Sequence, residues 1–191
     1  MVKKKEKSLR EIGYTIPVTA NNDSRFVQHD ELKYSLRSLY KFAPWVRNVY
    51  IVTDNQVPEW FNTKNEWARI IDHTDIFNDL SVLPTYNSNA IETRIHHIPG
   101  LSEHFLYFND DLYLGRSCTS NDFFTKNGRP YVYVVKKNTF MSKRRRIELD
   151  KKKKTKNEFE AGLVTSRELV YSNYGRLCKA DLVHGIRVYH K

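Results

Sequence analysis

Apolar residues recur along this chain at helical spacing in some segments and in short unbroken runs in others. Helical spacing begins after Asp30, continues through Leu39 and stops before Pro44. Two later segments show the same spacing and are followed by Pro or Gly residues that end helices. The predicted helices cover residues 30–43, 89–96 and 166–174.

The unbroken apolar runs predict buried strands. Three of the runs are four or five residues long and are rich in β-branched or aromatic residues, and the fourth is the shorter Ile70-Ile71 between Arg69 and Asp72. The predicted strands cover residues 49–53, 69–72, 105–108 and 131–135. Helices and strands alternate along the chain, so the expected fold class is α/β, with a largely parallel sheet and flanking helices.

The third predicted strand runs directly into Asn109, Asp110 and Asp111. Two adjacent carboxylates at a strand end repel each other and lose hydration unless a cation lies near them. One interpretation is a divalent-metal site that holds a phosphate-bearing ligand at the carboxyl edge of the sheet. The other is a polar turn, in which Asn and Asp are common residues. This segment alone leaves both interpretations open.

Polar residues also follow the first two predicted strands. In an open α/β sheet the carboxyl ends of parallel strands share one edge, and ligands bind there. Three polar clusters at one edge favour a binding site over ordinary turn chemistry. The clusters after the first and second strands are Thr53, Asp54, Asn55 and Gln56, and Asp72, His73 and Asp75.

Two short segments carry most of the basic charge of a chain whose net charge is +10. Residues 3–10 carry a net charge of +4 and residues 136–156 carry +9, which leaves −3 for the remaining residues. A basic folded body is typical of nucleic-acid-binding proteins, so this distribution argues against nucleic acid as a partner. Both segments are expected to be solvated, with peripheral contact to an anionic membrane surface as an alternative.

Four segments are expected along the chain: a flexible basic leader, a core, a charged insert or linker, and a last segment that contains the third helix. Their bounds are 1–24, 25–135, 136–156 and 157–191. No apolar run is long enough to cross a bilayer, and the leader lacks the apolar stretch of a signal peptide. Cys118 and Cys178 are too few for a disulfide framework or a zinc site, so free thiols are expected.

Several single residues suit chemistry, although each also has an ordinary structural role. His184 would serve as a general base near neutral pH, and Arg25 and Arg37 would bind phosphate. His97 fits a structural role at a helix C-terminus, whereas the role of His96 is open. The chain has no Walker loop, Rossmann fingerprint or nucleophile elbow, so a covalent mechanism through Ser or Cys has no support.

A series of short motifs runs through residues 25–115. The motifs are Arg25-Phe26, then residues 31–38 (ELKYSLRS), 43–47 (APWVR), 51–53 (IVT), 56–60 (QVPEW), 83–92 (LPTYNSNAIE), 95–96 (IH), 98–102 (IPGLS) and 107–111 (YFNDD). In this order they resemble the second conserved region of the Stealth family. Residues 166–175 and 184–191 resemble the start of its third conserved region.

The Stealth family includes bacterial capsular-polysaccharide phosphotransferases and the eukaryotic N-acetylglucosamine-1-phosphotransferase. The resemblance implies an enzyme that moves a hexose 1-phosphate from a nucleotide-sugar donor to a hydroxyl of a polysaccharide or glycan acceptor. It also implies a Rossmann-like sheet of the nucleotide-sugar-transferase type, incomplete in this chain.

The resemblance assigns the reacting groups. Asp110 and Asp111 are expected to hold Mg²⁺ or Mn²⁺ on the donor diphosphate. His184 is expected to take the proton from the acceptor hydroxyl as that hydroxyl attacks phosphorus. The acidic pair and this histidine are therefore the predicted catalytic residues.

The resemblance also assigns the substrate contacts. Arg25 or Arg37 is expected to stabilise phosphate oxygens, because a guanidinium group matches their geometry. Asn89, Glu92 and His96 are expected to line the sugar pocket. These five residues are the predicted substrate-binding set.

The first and fourth conserved regions of the family have no counterpart in these 191 residues. We therefore expect a fragment, a split gene product or a reduced relative. The alternative function is that of a truncated, non-catalytic remnant that binds nucleotide-sugar or a partner protein. The expected location is the cytoplasm, or the Golgi lumen if the chain is a fragment of a eukaryotic membrane-anchored enzyme.

Overall fold

The structure is a computed structural model that describes residues 29–136, 158–175 and 180–191. Its helices are α1 (Glu31–Phe42), α2 (Ser88–Glu92) and α3 (Glu158–Tyr174). Its strands are β1 (Val49–Thr53), β2 (Ala68–Asp72), β3 (His104–Tyr107), β4 (Val134–Lys136), β5 (Ala180–Leu182) and β6 (Arg187–His190). The predicted features outside the described residues are the leader over 1–24, Arg25, residues 137–156 of the insert, and Cys178.

Helix α1 begins after Asp30 and ends before Pro44, as predicted. The backbone N–H of Ala43 closes its last turn on the carbonyl of Leu39, at 2.9 Å. Leu39 is buried on the inner face together with Ser35. A buried hydroxyl needs a hydrogen-bond partner, and Ser35 finds one in the candidate site described below.

Strands β1 and β2 form a parallel pair, which confirms both predicted strands. Their register runs from Val49 opposite Ala68 to Thr53 opposite Asp72. Ile51 is buried at the centre of β1. Because the two strands run in the same direction, the polar residues that follow them come to the same edge.

Strand β3 pairs antiparallel with β6, with His104 opposite His190 and Tyr107 opposite Arg187. The described strands form three two-stranded sheets, and β1–β2 is the parallel pair among them. The mixed α/β class is confirmed, but the expectation of a largely parallel sheet is wrong for the described residues. The reason is that β6, which was not predicted, pairs with β3 and runs antiparallel to it.

The helix predicted over residues 89–96 is two shorter elements. Helix α2 is followed by a separate 3₁₀ turn, Ile95–His97. The Thr93 hydroxyl donates to the carbonyl of Ala90 at 2.7 Å, and the N–H of Arg94 donates to the carbonyl of Ile91 at 2.9 Å. These three-residue spacings tighten the backbone and end the α-helical ladder.

Two hydrophobic clusters make the core of the part of the chain that the structure describes. The α1 cluster has the buried residues Leu39, Ala43, Leu114, Phe123 and Val188. The Ile76 cluster has the buried residues Ile76, Phe77, Ile95 and Ile98. Leu106 of β3 packs against the α1 cluster, whereas its neighbours Phe105 and Tyr107 pack against the Ile76 cluster. Because side chains alternate along a strand, β3 lies between the two clusters.

The described residues pack as two compact units. The first contains residues 29–130 and 185–191, and the second contains the described residues from 131 to 184. In the second unit β4 pairs antiparallel with β5, from Val134 opposite Leu182 to Lys136 opposite Ala180. The strand predicted over 131–135 is therefore shorter and shifted, and it includes Lys136, which was expected to begin the insert.

Helix α3 also lies in the second unit. It begins at Glu158, earlier than the predicted start at residue 166, and it ends before Gly175 as predicted. Gly175 has a φ of 60° and donates its N–H to the carbonyl of Tyr171 at 2.9 Å, the usual arrangement of a glycine that ends a helix. Across the described part of the chain, α3 and the other helices are too short or too polar to cross a membrane.

Candidate functional site around the acidic turn

Asn109, Asp110 and Asp111 form a tight turn that begins two residues after the end of β3. The N–H of Leu112 donates to the carbonyl of Asn109 at 3.2 Å, so the two aspartates occupy the central positions of the turn. Both aspartate side chains are exposed. The backbone is the polar turn that one interpretation predicted, and it presents two adjacent carboxylates to solvent.

Two serines of α1 hold the chain that leaves this turn. Ser35 donates its hydroxyl to the carbonyl of Leu112 at 2.7 Å, and the N–H of Leu114 donates to the hydroxyl oxygen of Ser38 at 3.0 Å. Residues three apart lie on the same face of a helix, so the segment after the turn runs beside α1 in the same direction. The acidic turn therefore lies towards the N-terminal end of α1.

The pKa of Tyr113 indicates which charges surround the turn. Desolvation raises this pKa, and the negative charges of Glu31, Asp111 and Asp110 raise it further. Glu31 is the first residue of α1, which agrees with the position of the turn. The region is negatively charged, and a divalent cation would relieve the repulsion between these carboxylates.

The acidic pair suits a cation that retains other ligands. Among the residues that the structure describes, no group of three or more His, Cys, Asp or Glu side chains is arranged to hold a metal ion. Asp110 and Asp111 by themselves offer two hard oxygen donors. Mg²⁺ keeps several water ligands and is commonly held by one or two carboxylates together with substrate phosphates. The pair therefore fits a cation shared with a phosphate ligand better than one caged by protein.

A half-buried ion pair lies at the same end of β3. Arg187 donates through Nη1 to Oε1 of Glu92, and the Tyr189 hydroxyl donates to the same oxygen. The guanidinium carbon of Arg187 lies 5.9 Å from the ring centroid of Tyr107. Burial raises the pKa of Tyr107, and the negative charges of Glu92 and Asp110 raise it further. The charges of Glu92, Arg187 and Asp110 thus all affect the pKa of Tyr107.

Glu92 was among the predicted site residues, whereas Arg187 and Tyr189 were not predicted. The signal that would have located them is the alternation over residues 186–189. Ile186 and Val188 pack in the α1 cluster, while the two residues that alternate with them contact Glu92. This two-residue period predicts a half-buried strand, although it does not identify the partner of the arginine.

The polar residues after β1 and β2 meet at one edge, as predicted. Their side chains accept hydrogen bonds from backbone N–H groups there. Asn55 donates its N–H to Oδ2 of Asp72 at 2.5 Å. Asp72 and Asp75 close a capping box around the 3₁₀ turn His73–Asp75. Burial opposes the shift, but hydrogen bonds from Thr74 and Asn55 outweigh it and lower the pKa of Asp72. The Asp72 carboxylate is therefore a structural cap.

Two further residues of the predicted sugar pocket lie in and just after α2. Asn89 is in the first turn of α2, where its N–H donates to Oδ1 of Asn87 at 3.0 Å. His96 is exposed, and its ring centroid lies 4.0 Å from that of His97. Nδ1 of His97 lies 3.1 Å from the carbonyl oxygen of Ile76, a contact that fits a structural role, although His97 ends a 3₁₀ turn and not the predicted helix.

The remaining predicted residues have simple surroundings. Arg37 is exposed on α1, with its guanidinium carbon 5.4 Å from the ring centroid of Tyr34. His184 is exposed and belongs to the second unit. Cys118 is a free thiol, as expected. Arg25, the other predicted phosphate ligand, lies outside the described residues.

Comparison with known proteins identifies similar chains. Over 180 residues, which are 94% of this chain and 32% of the relative, the sequence is 39% identical to the exopolysaccharide phosphotransferase SCO6021 of Streptomyces coelicolor. It is 46% identical over 119 residues to the capsular polysaccharide phosphotransferase fcs1 of Haemophilus influenzae, covering 62% of this chain and 32% of the relative. It is 39% identical over 171 residues to the exopolysaccharide phosphotransferase CpsY of Mycobacterium tuberculosis, covering 90% of this chain and 30% of the relative.

The chain spans less than a third of the length of these three relatives. Residues 25–132 match conserved region 2 of the Stealth proteins. This match covers more than half of the 191 residues and contains both the acidic turn and Glu92. The chain therefore belongs to the Stealth family.

Proposed function

We propose that this chain carries part of the active site of a sugar-1-phosphate transferase. The enzyme would move a hexose 1-phosphate, such as N-acetylglucosamine 1-phosphate, from a nucleotide-sugar to a sugar hydroxyl during polysaccharide or glycan synthesis. Relatives named as exopolysaccharide and capsular polysaccharide phosphotransferases support this class of reaction. The observation that carries the proposal is the exposed acidic turn beside the ion pair of Glu92 and Arg187, at the end of a strand within the family match.

One pair of strands supports a Rossmann-like core of the nucleotide-sugar-transferase type. The parallel pair β1–β2 has polar residues at its carboxyl edge. Tyr50 and Val52 of β1 pack against the same Ile76 cluster as Phe105 and Tyr107 of β3. Such a layer would place a nucleotide-sugar at the carboxyl ends of its strands.

In this proposal the phosphates of the donor are held by charge. Asp110 and Asp111 would hold Mg²⁺ or Mn²⁺, which when bound would neutralise negative charge on the diphosphate. Arg37, and Arg25 before it in the chain, would bind phosphate oxygens through their planar guanidinium groups. Asn89, Glu92 and His96 would line the pocket for the sugar, as the resemblance to the family implies.

The transfer itself forms one bond and breaks one bond. The acceptor oxygen would form a bond to the phosphorus that carries the sugar, and the bond from this phosphorus to the oxygen of the nucleoside monophosphate would break. The acceptor proton would go to His184, and the nucleoside monophosphate would leave. In such a reaction the protein mainly positions the reactants and neutralises charge.

A second candidate function is binding of a nucleotide-sugar, or of a partner protein, without transfer. The observation that favours it is that the described residues proposed to contact the donor all belong to the first compact unit, whereas His184, the proposed base, belongs to the second. This candidate retains the donor contacts of the first but has no turnover.

Titration calorimetry and a turnover assay test both candidates. The 191-residue chain is titrated with UDP-N-acetylglucosamine, UDP-glucose and GDP-mannose, each with Mg²⁺ and with a chelator. Release of the nucleoside monophosphate is then measured after a sugar acceptor is added. Metal-dependent binding with release supports the transferase, and binding without release supports the second candidate. A folded chain that binds none of the three probes contradicts the proposal.

A further inference from the structure

Strand β6 presents two hydrogen-bond donors to a single carboxylate oxygen. Arg187 and Tyr189 are two residues apart, and alternate residues of a strand lie on the same face. Both donate to Oε1 of Glu92 in α2. The arginine and glutamate side chains are only 27% and 13% exposed. A charged pair withdrawn from water to this degree keeps its geometry better than an ion pair on the open surface.

The position of this cluster relates it to the acidic turn. Arg187 lies opposite Tyr107 in the β3–β6 register, and Tyr107 precedes Asn109 by two residues. Asp110 contributes to the raised pKa of Tyr107 together with Glu92. The carboxylate of Glu92 is therefore held at the end of β3 where the diphosphate of a donor is proposed to bind.

The two carboxylate oxygens of Glu92 differ in the hydrogen bonds that they accept from Arg187 and Tyr189. Oε1 accepts from both donors, and Oε2 accepts from neither. Fixing one oxygen of a planar carboxylate with two donors fixes the direction of the other. The Tyr189 hydroxyl remains protonated as a donor, because burial and its bond to Glu92 raise the pKa of Tyr189 to about 12.

We infer that Arg187 and Tyr189 are positioning residues, which orient Glu92 so that its Oε2 accepts a hydrogen bond from a hydroxyl of the donor sugar. The inference rests on the proposed function and adds to it the two residues that make the sugar contact selective. A site built to bond a hydroxyl discriminates strongly against a ligand that lacks it. The cluster should therefore contribute to the affinity for the sugar part of the donor and not to the affinity for its nucleoside diphosphate part.

The test compares each nucleotide-sugar with its own nucleoside diphosphate, which lacks the sugar. Calorimetry with Mg²⁺ measures UDP-N-acetylglucosamine and UDP-glucose against UDP, and GDP-mannose against GDP. For Tyr189→Phe we expect about tenfold weaker binding of the preferred nucleotide-sugar, from the loss of one bond to a charged group, and unchanged binding of the diphosphate. Glu92→Gln should show the same pattern, and Arg187→Lys should retain part of the preference because it keeps the charge.

Tyr50→Phe is the matched control. It also removes one tyrosine hydroxyl, which donates to the carbonyl of Gly100 at 3.0 Å, and it should leave both affinities unchanged. If Tyr189→Phe binds every probe as the unaltered chain does, or loses affinity for sugar and diphosphate forms equally, the inference is wrong while the proposed function stands. If the unaltered, folded chain binds no probe, the proposed function fails and the inference fails with it. Because Tyr189→Phe removes a single oxygen atom, it keeps the test usable if a change at Arg187 prevents folding.

Discussion

The backbone N–H of Asn55 lies 2.5 Å from Oδ2 of Asp72, and this contact joins the ends of the two parallel strands. Asn55 has a φ of 52°, a left-handed conformation that asparagine adopts more readily than most residues. In this conformation its N–H reaches the carboxylate across the strand ends. Asp72 accepts this bond while it also caps the 3₁₀ turn that follows β2.

Replacing Asp72 with Ala should lower the free energy of unfolding by about 1 kcal/mol, as for other lost caps. The pKa of Asp72 is lowered in the folded chain, so its ionised form is stabilised. This contribution is complete above the unfolded-state pKa, roughly 4, and is lost as the pH falls through the lower folded-state value. Urea denaturation at pH 7 and pH 3 should show that Asp72→Ala loses more stability at pH 7 than at pH 3. An equal loss at both values would contradict the role of the charge, and Glu66→Gln, at an exposed position, is the control.

Replacing Ser38 with Ala should loosen the segment that follows the acidic turn. The change removes the acceptor for the N–H of Leu114, and Leu114 is buried. An unsatisfied buried N–H costs about 1–3 kcal/mol. Hydrogen exchange measured by mass spectrometry should therefore speed up over residues 110–116. Ser38→Thr keeps the hydroxyl and should retain most of the protection, so equally fast exchange in both variants would exclude this hydrogen bond as the cause.

The double change Asp110→Asn with Asp111→Asn should abolish the metal-dependent part of nucleotide-sugar binding. It removes both negative charges but nearly keeps side-chain shape, and the turn is closed by backbone atoms, so the fold should persist. Circular dichroism checks the fold, and calorimetry with and without Mg²⁺ measures binding. Glu59→Gln with Glu66→Gln removes the same charge at two exposed positions and should leave binding intact. Equal metal-dependent binding by all three proteins would show that the acidic pair is only a turn.

Replacing His184 with Ala should abolish release of the nucleoside monophosphate with little change in affinity for the donor. A general base acts on the acceptor proton in the transfer step, so its loss lowers kcat without weakening donor binding. His96→Ala should show the opposite pattern, because His96 is proposed to contact the sugar. Steady-state kinetics and donor titrations on both variants separate these effects in any form of the protein that turns over. Full activity of the His184→Ala variant would remove this histidine from the mechanism.

Elements whose signals lie close together in the chain were predictable. Helix α1 was located from Asp30, Leu39 and Pro44, and β1 and β2 from short β-branched runs, because periodicity and terminating residues act over a few positions. The helix predicted over 89–96 was wrong in its length. Its end depends on the hydrogen bond from the Thr93 hydroxyl to the carbonyl of Ala90. This side-chain bond competes with the helical backbone bonds, and the spacing of apolar residues does not predict it.

The sequence by itself also determined which segment carries the acidic pair, and it offered a turn as one of two interpretations, since Asn and Asp favour turns through their own local hydrogen bonds. Only the tertiary structure decided what surrounds that turn. The pairing of β6 with β3 brings Arg187 and Tyr189 to Glu92, and two serines of α1 hold the chain beyond Asp111. The tertiary structure also showed that Asp72, which was predicted to belong to a binding site, caps the 3₁₀ turn after β2. Such contacts join residues far apart along the chain, and their formation depends on which strands pair and which helix faces pack, which local patterns do not specify.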